Sequence, residues 1–249
     1  MNTKMIVRGG VVALVVAVVG VWFLFFRDDA PDAVSTDAGL EQLQADLDAD
    51  GGTGGVTPVP ADGPVNGTWT VDDDFGTFDF ETASGSFAGF RVNEELTIGS
   101  TVAVGRSGGV TGALTIEDGV LTAAEISIDM GSIVSNDGRR ESAIRRVVGA
   151  NEFPDATFVL TEAVTLPDGL ADGDTVSVEA VGDLSVKGTT NRVTFALEAT
   201  IADAGVALIV GSTGIVWEDF GVTPPSAPIV VSIADEGIVE FQLVVRQNS

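Results

Sequence analysis

The sequence predicts an all-β domain held outside a membrane by a single N-terminal transmembrane helix. Three observations predict it. An uncharged apolar run lies near the N-terminus, an acidic Gly/Pro-rich stretch follows it, and the hydrophobicity of the remainder alternates with a period of two.

The apolar run extends from Gly9 to Phe26, 18 residues without a charge. As a helix it measures about 27 Å at roughly 1.5 Å per residue, just enough for a hydrocarbon core of about 30 Å. Lys4 and Arg8 precede it, whereas Arg27 is followed at once by Asp28, Asp29 and Asp32. The basic excess keeps the N-terminus in the cytoplasm and sends the rest of the chain across. Trp22, Phe23, Phe25 and Phe26 crowd the outer end, where an aromatic belt sits. A cleaved signal peptide is the competing reading, and it requires small residues after the run. Leu24-Phe25-Phe26-Arg27 is bulky, and Pro31 spoils Ala30-Pro31-Asp32-Ala33 as a cleavage site. Residues 1–27 are therefore expected to be a cytoplasmic tip and an uncleaved, single-pass signal anchor in the cell membrane.

Composition removes several function classes. Cys, His and Tyr are absent, which excludes disulfides, thiol nucleophiles, imidazole bases and thiolate or imidazole metal sites. Three of the 12 basic residues, Lys4, Arg8 and Arg27, precede all 37 acidic ones, leaving nine against 37 and a net −28 beyond the anchor. Such a surface repels nucleic acid and anionic headgroups. No nucleophile elbow, phosphate loop or metal-ligand cluster is present, so no catalytic residue, metal or cofactor is expected.

Residues 28–65 hold nine acidic and no basic residues. Gly51-Gly52-Thr53-Gly54-Gly55, Pro58, Pro60 and Pro64 cannot build a core, and the stretch reads as a linker. Leu40, Leu43 and Leu47 have helical spacing, but the expectation there is a fraying turn within the linker. Asp46, Asp48 and Asp50 resemble the start of a calcium loop, yet the twelfth position is Thr57 and not Glu.

The domain at 66–249 alternates throughout. Phe78 and Phe80, then Ile126, Ile128 and Met130, then Ala156, Phe158 and Leu160 take apolar positions between polar neighbours. Val176 to Val186, Val193 to Ile201 and Val239 to Val245 do the same over longer spans. Gly-containing turn signals at 117–119, 167–169, 188–191, 203–205 and 235–237 separate them. Val206 to Val210 is apolar on both faces and must be covered on its outer side. One helical interlude is expected over Asp137 to Val148. Many antiparallel strands without covering helices allow a sandwich or a closed barrel, and long strands suit a barrel.

Three stretches resemble a known family. Gly67-Thr68-Trp69-Thr70-Val71-Asp72 resembles the opening strand of the YceI-like lipid-binding family. Phe153-Pro154-Asp155-Ala156-Thr157-Phe158 resembles its Phe-Pro-x-Ala-x-Phe signature. Gly182-Asp183-Leu184-Ser185-Val186-Lys187-Gly188-Thr189-Thr190 resembles its later strand and turn. The resemblance covers about Asn66 to Val245. It implies an eight-stranded antiparallel, lipocalin-like barrel with an apolar tunnel for a polyisoprenoid or other long-chain lipid. Two positions depart from the family: Phe75-Gly76 stands where it often has His and Ser, and Lys187 where it often has His.

On this reading the tunnel is lined by Phe78, Phe80, Ile126, Ile128, Phe158, Leu160, Val178, Ala180, Phe195, Leu197 and Phe241. The small residues Ala156, Ala180, Gly182 and Ala199 leave room for a tail. Thr194, Glu198, Glu240 and Gln242 are expected to face water. Arg139-Arg140 and Arg145-Arg146 form a basic cluster, read either as a headgroup clamp, chiefly through Arg139 and Arg140, or as local ion pairs with Asp137, Glu141 and Glu152. Arg91 with Glu94 and Glu95 reads as an exposed charge set. The functional expectation is a membrane-anchored, extracytoplasmic lipid carrier. A ligand-free structural or adhesive domain on a stalk is the alternative.

Overall fold

The computed structural model describes residues 30–49, 65–72, 76–170, 173–202 and 205–248. The expected membrane segment at 9–26 and the Gly/Pro-rich stretch 51–64 lie outside them. No helix among the described residues is long and apolar enough to cross a membrane.

The alternating segments form one antiparallel sheet. Its strands are β1 (Gly67–Val71), β2 (Phe87–Leu96), β3 (Gly99–Ser107), β4 (Val110–Glu117), β5 (Val120–Asp129), β6 (Val134–Ser135) and β7 (Asp155–Leu160), followed by β8 (Val164–Thr165), β9 (Thr175–Val186), β10 (Thr189–Ile201), β11 (Val206–Val216), β12 (Val230–Ile233) and β13 (Glu236–Gln247). Neighbours run β1-β4-β5-β7-β9-β10-β11-β13, and β13 pairs back onto β1. The ring therefore closes with eight strands and leaves no free edge. Towards the other end the β2–β3 hairpin takes over from β1 and β4, because β2 pairs with β13 from Ile238↔Arg91 to Gln242↔Phe87. β3 runs into β4 through Gly108-Gly109. At this second end β3 has left β5, and the gap is filled by a 3-10 turn at Met130–Ser132, by β6 and by a helix at Gly138–Val147. That helix is the expected interlude. It is called α2 here, after α1 (Thr36–Ala49). Asp137 caps it by accepting a hydrogen bond from the Arg139 N–H at 3.0 Å.

The interior of the β1 end is filled. Trp69, Leu114, Ile116, Leu121, Leu243 and Val245 are all buried there in one cluster. The inward faces agree with the alternation: Phe195 is buried, and Phe158, Leu160, Val178, Leu197 and Phe241 are half-buried on the same face. Thr194 and Glu198 are exposed as expected.

Three expectations about the outer face do not hold. Residues 38–47 are not a fraying turn but belong to α1. The Ser35 hydroxyl accepts a hydrogen bond from the Ala38 N–H at 3.3 Å at its start. The helix lays Leu43 against Val206, Leu208, Val210 and Val244. It is the cover that the two-faced apolar run requires. Glu240 and Gln242 point outward but are buried, at 1% and 3% exposure, because chain packs over them too. Phe78 and Phe80 are not on a strand facing the interior. They flank the isolated bridge Asp79↔Ser84 in a turn, and Phe78 stacks on the outward Phe87 at 5.8 Å between ring centroids.

A buried ion pair organises this outer layer. Arg106 and Glu240 are both in register with Gly89, from opposite sides. Gly89 has no side chain to separate them, and a Cβ there would lie 2.0 Å from the Gly105 carbonyl oxygen. The Arg106 guanidinium crosses over it and donates to Glu240 Oε1 from Nε (3.2 Å) and Nη2 (2.8 Å). It also lies 4.5 Å from the Phe87 ring centroid. Residues 30–35 close over the pair as a strap. The Pro31 carbonyl accepts from Arg91 (2.7 Å), the Asp32 carbonyl accepts from Arg106 (2.8 Å), and the Val34 N–H donates to Glu240 (3.4 Å). Removing one partner of such a pair leaves an uncompensated buried charge, whereas apolar replacement of both is far milder. Glu240→Ala should lose about 3–5 kcal/mol of stability in urea denaturation, and Arg106→Met with Glu240→Leu should recover most of it.

Candidate functional site

The barrel is divided across its axis by aromatic rings. Phe158 meets Phe195 edge-on at 5.3 Å, and Phe195 meets Phe241 at 5.3 Å. Glycines opposite make room for them. A Cβ on Gly182 would come within 2.4 Å of the Phe158 ring, and one on Gly211 within 2.5 Å of the Phe241 ring. Phe241 packs on the filled cluster below, while Phe158 packs on Leu184, Ile215, Phe220 and Val222 above.

Above this layer lies a cavity of about 1200 Å³. Its wall is apolar: Ala88, Phe90, Val92 and Leu96 from β2, Leu184 and Val186 from β9, Val239 from β13, and Ile144 and Val147 from α2. Met130, Ile133, Trp217, Phe220 and Val222 complete it. Its mouth lies between the β2–β3 turn, β12 and the N-terminal part of α2.

The polar groups concentrate on one side. Glu94 points inward from β2 with 7% exposure. Arg140 Nη2 lies 2.8 Å from Glu94 Oε2, but its N–H does not aim at that oxygen, which accepts no hydrogen bond. Burial pushes the Glu94 carboxyl above its ordinary range. The Arg140 charge draws it back, and Asp137 adds to the rise. Asp137 goes the other way. The hydrogen bond from the Arg139 side chain, with Nη2 2.7 Å from Oδ2, holds it below the ordinary value.

Of the residues expected to line the tunnel, Ile128 reaches the cavity, and so do Arg139 and Arg140. Ile126, Leu160 and Phe241 pack against the filled cluster, and Phe158, Ala180 and Phe195 belong to the dividing layer and its backing strand. Val178 and Leu197 face each other across β9 and β10 beneath it, and Phe78 and Phe80 lie outside the barrel. Of the small residues, Ala156 lines the cavity, whereas Gly182 accommodates the Phe158 ring and Ala180 pairs with Phe195. The ion pairs Arg139–Asp137 and Arg145–Glu141 (3.6 Å) follow the local reading of the basic cluster. The expected Arg91–Glu94–Glu95 set does not form. On a strand, residues three apart point to opposite faces, so Arg91 joins Glu240 outside and Glu94 enters the cavity.

Two of the motif stretches touch each other. Phe158 sits on Gly182, and a Cβ on Gly188 would lie 2.5 Å from the Phe153 ring. These motifs therefore encode the packing of β7 against the β9–β10 hairpin. Among the described residues no group of three or more acidic side chains is placed to hold a metal ion.

The sequence profile of the YceI-like domain matches residues 69–245. The chain belongs to the YceI-like domain family. A solved structure shares its fold, and two others superpose less closely. A polyisoprenoid binding domain from Saccharophagus degradans, implicated in plant cell wall breakdown, superposes with a TM-score of 0.54 at 16% identity, over 72% of this chain and 98% of that one. BcnA from Burkholderia cenocepacia gives 0.47 at 21% identity, over 64% and 95%. The YCEI protein of Campylobacter jejuni gives 0.45 at 12%, over 58% and 85%. No curated protein matches the sequence.

The two carboxyl groups of the YceI-like site make opposite pH predictions. Glu94 binds its proton in the folded state at pH values where the unfolded chain has released it. Its contribution to stability therefore falls as pH rises from the ordinary 4.5 through its raised value. Asp137 contributes stability above its ordinary 3.8, lost as pH falls through its lowered value. Carboxyl ¹³C titration should place the Glu94 midpoint above 4.5 and that of Asp137 below 3.8; the reverse order would contradict this geometry. A second expectation concerns packing. Ala180→Phe enters a filled layer and should cost about 1–3 kcal/mol in thermal or urea unfolding.

Proposed function

We propose that this YceI-like protein is a membrane-anchored, extracytoplasmic lipid-binding protein that holds a polyisoprenoid-type chain in the upper half of its barrel. The observation that carries this reading is the 1200 Å³ apolar cavity, open to solvent, whose lining residues Leu184, Ile215, Phe220 and Val222 rest on Phe158 of the aromatic layer. It exceeds the roughly 300–1,000 Å³ of ordinary small-molecule pockets, which suits a long flexible chain. Each buried methylene contributes about 0.8 kcal/mol, so a tail of several isoprene units binds tightly without polar contacts. The polyisoprenoid binding domain of Saccharophagus degradans has the same fold. Arg139 and Arg146 line the cavity and are exposed, and they are placed to meet an anionic or polar headgroup. The protein acts by burial and release, not by catalysis. The uncharged run from Gly9 to Phe26 and the basic excess before it support a single-pass anchor with the barrel outside.

Full-length protein should stay with membranes through an alkaline wash, and mass spectrometry of its organic extract should find a chain-like isoprenoid. Trp217 lines the cavity, and its emission should shift when an isoprenoid quinone is added in detergent. Ala103→Phe places a ring inside the cavity wall and should abolish both the extract signal and the shift while the domain stays folded. A wild-type barrel that retains and accepts no such lipid would return the ligand-free structural domain.

A further inference from the structure

Apolar side chains that the described residues leave uncovered lie at and beside the cavity mouth: Ile98 and Ile229 line the cavity, and Val231 follows the lining residue Val230. Ile98 in the β2–β3 turn is 44% exposed, Ile229 before β12 is 54% exposed and Val231 within β12 is 64% exposed. They adjoin one another: the Thr97 N–H donates to the Ile229 carbonyl at 2.9 Å, and Val230 pairs with Leu96. Among the described residues the other large hydrophobic side chains exposed to this degree are Val159, Val216 and Ile238, and none of them lines the cavity. The rim is thus a patch, not scatter.

The strap fixes which way this patch points. Pro31 sits on Arg91, Asp32 on Arg106, Val34 on Glu240, Thr36 on Glu198 and Leu43 on Val206 and Val244. Along β13 these levels descend from Ile238 to Val244. The chain therefore runs down the wall from the mouth side towards the filled end, and its upstream end faces the mouth. From Phe26 to Ala30 there are four residue steps, at most about 14 Å of chain. Arg91 lies five residues from the rim at Leu96, about 13 Å along the barrel axis for strands tilted as barrels require. Glu240 lies seven residues from the filled end at Gln247, about 18 Å by the same measure. The tether reaches a surface at the rim and falls short of one at the filled end.

Charge selects the kind of contact. The part beyond the anchor carries a net −28, so attraction to anionic headgroups does not hold it down. The apolar rim and the exposed Arg139 and Arg146 beside it are suited to a neutral bilayer surface.

We propose that the rim of Ile98, Ile229 and Val231 inserts into the surface of the bilayer that holds residues 9–26, so that the cavity opens directly onto the acyl chains. This rests on the anchored reading above. The absence of cysteine allows single-site labelling. Ile98→Cys and Val231→Cys, and Glu117→Cys at the filled end, would each carry an environment-sensitive fluorophore on the full-length chain. The chain is reconstituted into phosphatidylcholine vesicles containing lipids spin-labelled near the headgroup. The expected result is flotation with the vesicles, with strong quenching and a blue shift at the two rim positions and neither at Glu117→Cys. Flotation with rim labels no more quenched than the control would overturn the docking while leaving the anchor. Stronger quenching at the filled end would overturn it as well. A chain that does not float removes both readings. In a second measurement, Val231→Asp, at an exposed side chain that does not line the cavity, should slow uptake of an isoprenoid quinone from vesicles about tenfold, the factor expected for losing one apolar insertion, without changing uptake from detergent. Equal rates from vesicles for variant and wild type would refute the inference.

Discussion

The Arg106–Glu240 pair, crossing at Gly89, sets the arrangement of the whole outer layer. The Arg106 guanidinium is wholly removed from water, and the sheet alone offers its Nε and Nη2 one carboxylate. The Asp32 carbonyl supplies a further acceptor, and Phe87 supplies a π-face. A buried pair of this kind contributes little net stability but discriminates strongly among arrangements, because any other path of the strap leaves charge without a partner. Once the strap is placed, α1 follows. Thr36 reaches Glu198, Gly39 sits so close that a Cβ would lie 2.7 Å from Gln242 and Leu208, and Leu43 fills the outer apolar hollow.

The barrel then separates two demands that conflict in a small domain. A cavity of this size has forfeited the dispersion contacts that a packed interior provides. The filled half around Trp69 and the second core under α1 make up for that loss, and the aromatic layer keeps the open volume from spreading into the filled half. The motif residues Phe153, Phe158, Gly182 and Gly188 belong to this framework.

Much of the fold was legible in the sequence, and the site much less so. Alternation identifies which side chains share a face, and on β9, β10 and β13 it assigned them correctly. It does not reveal what lies over a face. Glu240 and Gln242 were therefore read as wet, although the apolar run Val206–Val210 and the helical spacing of Leu40 and Leu43 together signalled a cover. Phe78 and Phe80 matched the period over two positions only, too few to distinguish a strand from a turn. Arg91 and Glu95 beside Glu94 suggest a surface cluster, although its parity with Phe90 and Val92 places Glu94 inside. The position of the cavity was not readable at all. It depends on the sum of volumes across eight strands: of the small residues that hint at space, Ala156 lines the cavity, while Gly182 is covered by the Phe158 ring of the neighbouring strand.

Ring closure by β1 and β13 has a consequence for assembly. Trp69 pairs with Gln247 and Val71 with Val245, so the first strand of the barrel waits for the last. Contacts this distant in sequence are slow to form, since loop entropy is lost before pairing rewards it. Until the C-terminal strand arrives, β11, β1 and β2 each lack the neighbour that β13 provides, and their edges stay open. The nascent domain therefore passes its most aggregation-prone interval with these edges open and with the cavity wall still lacking Val239 and the pairing of β2 with β13.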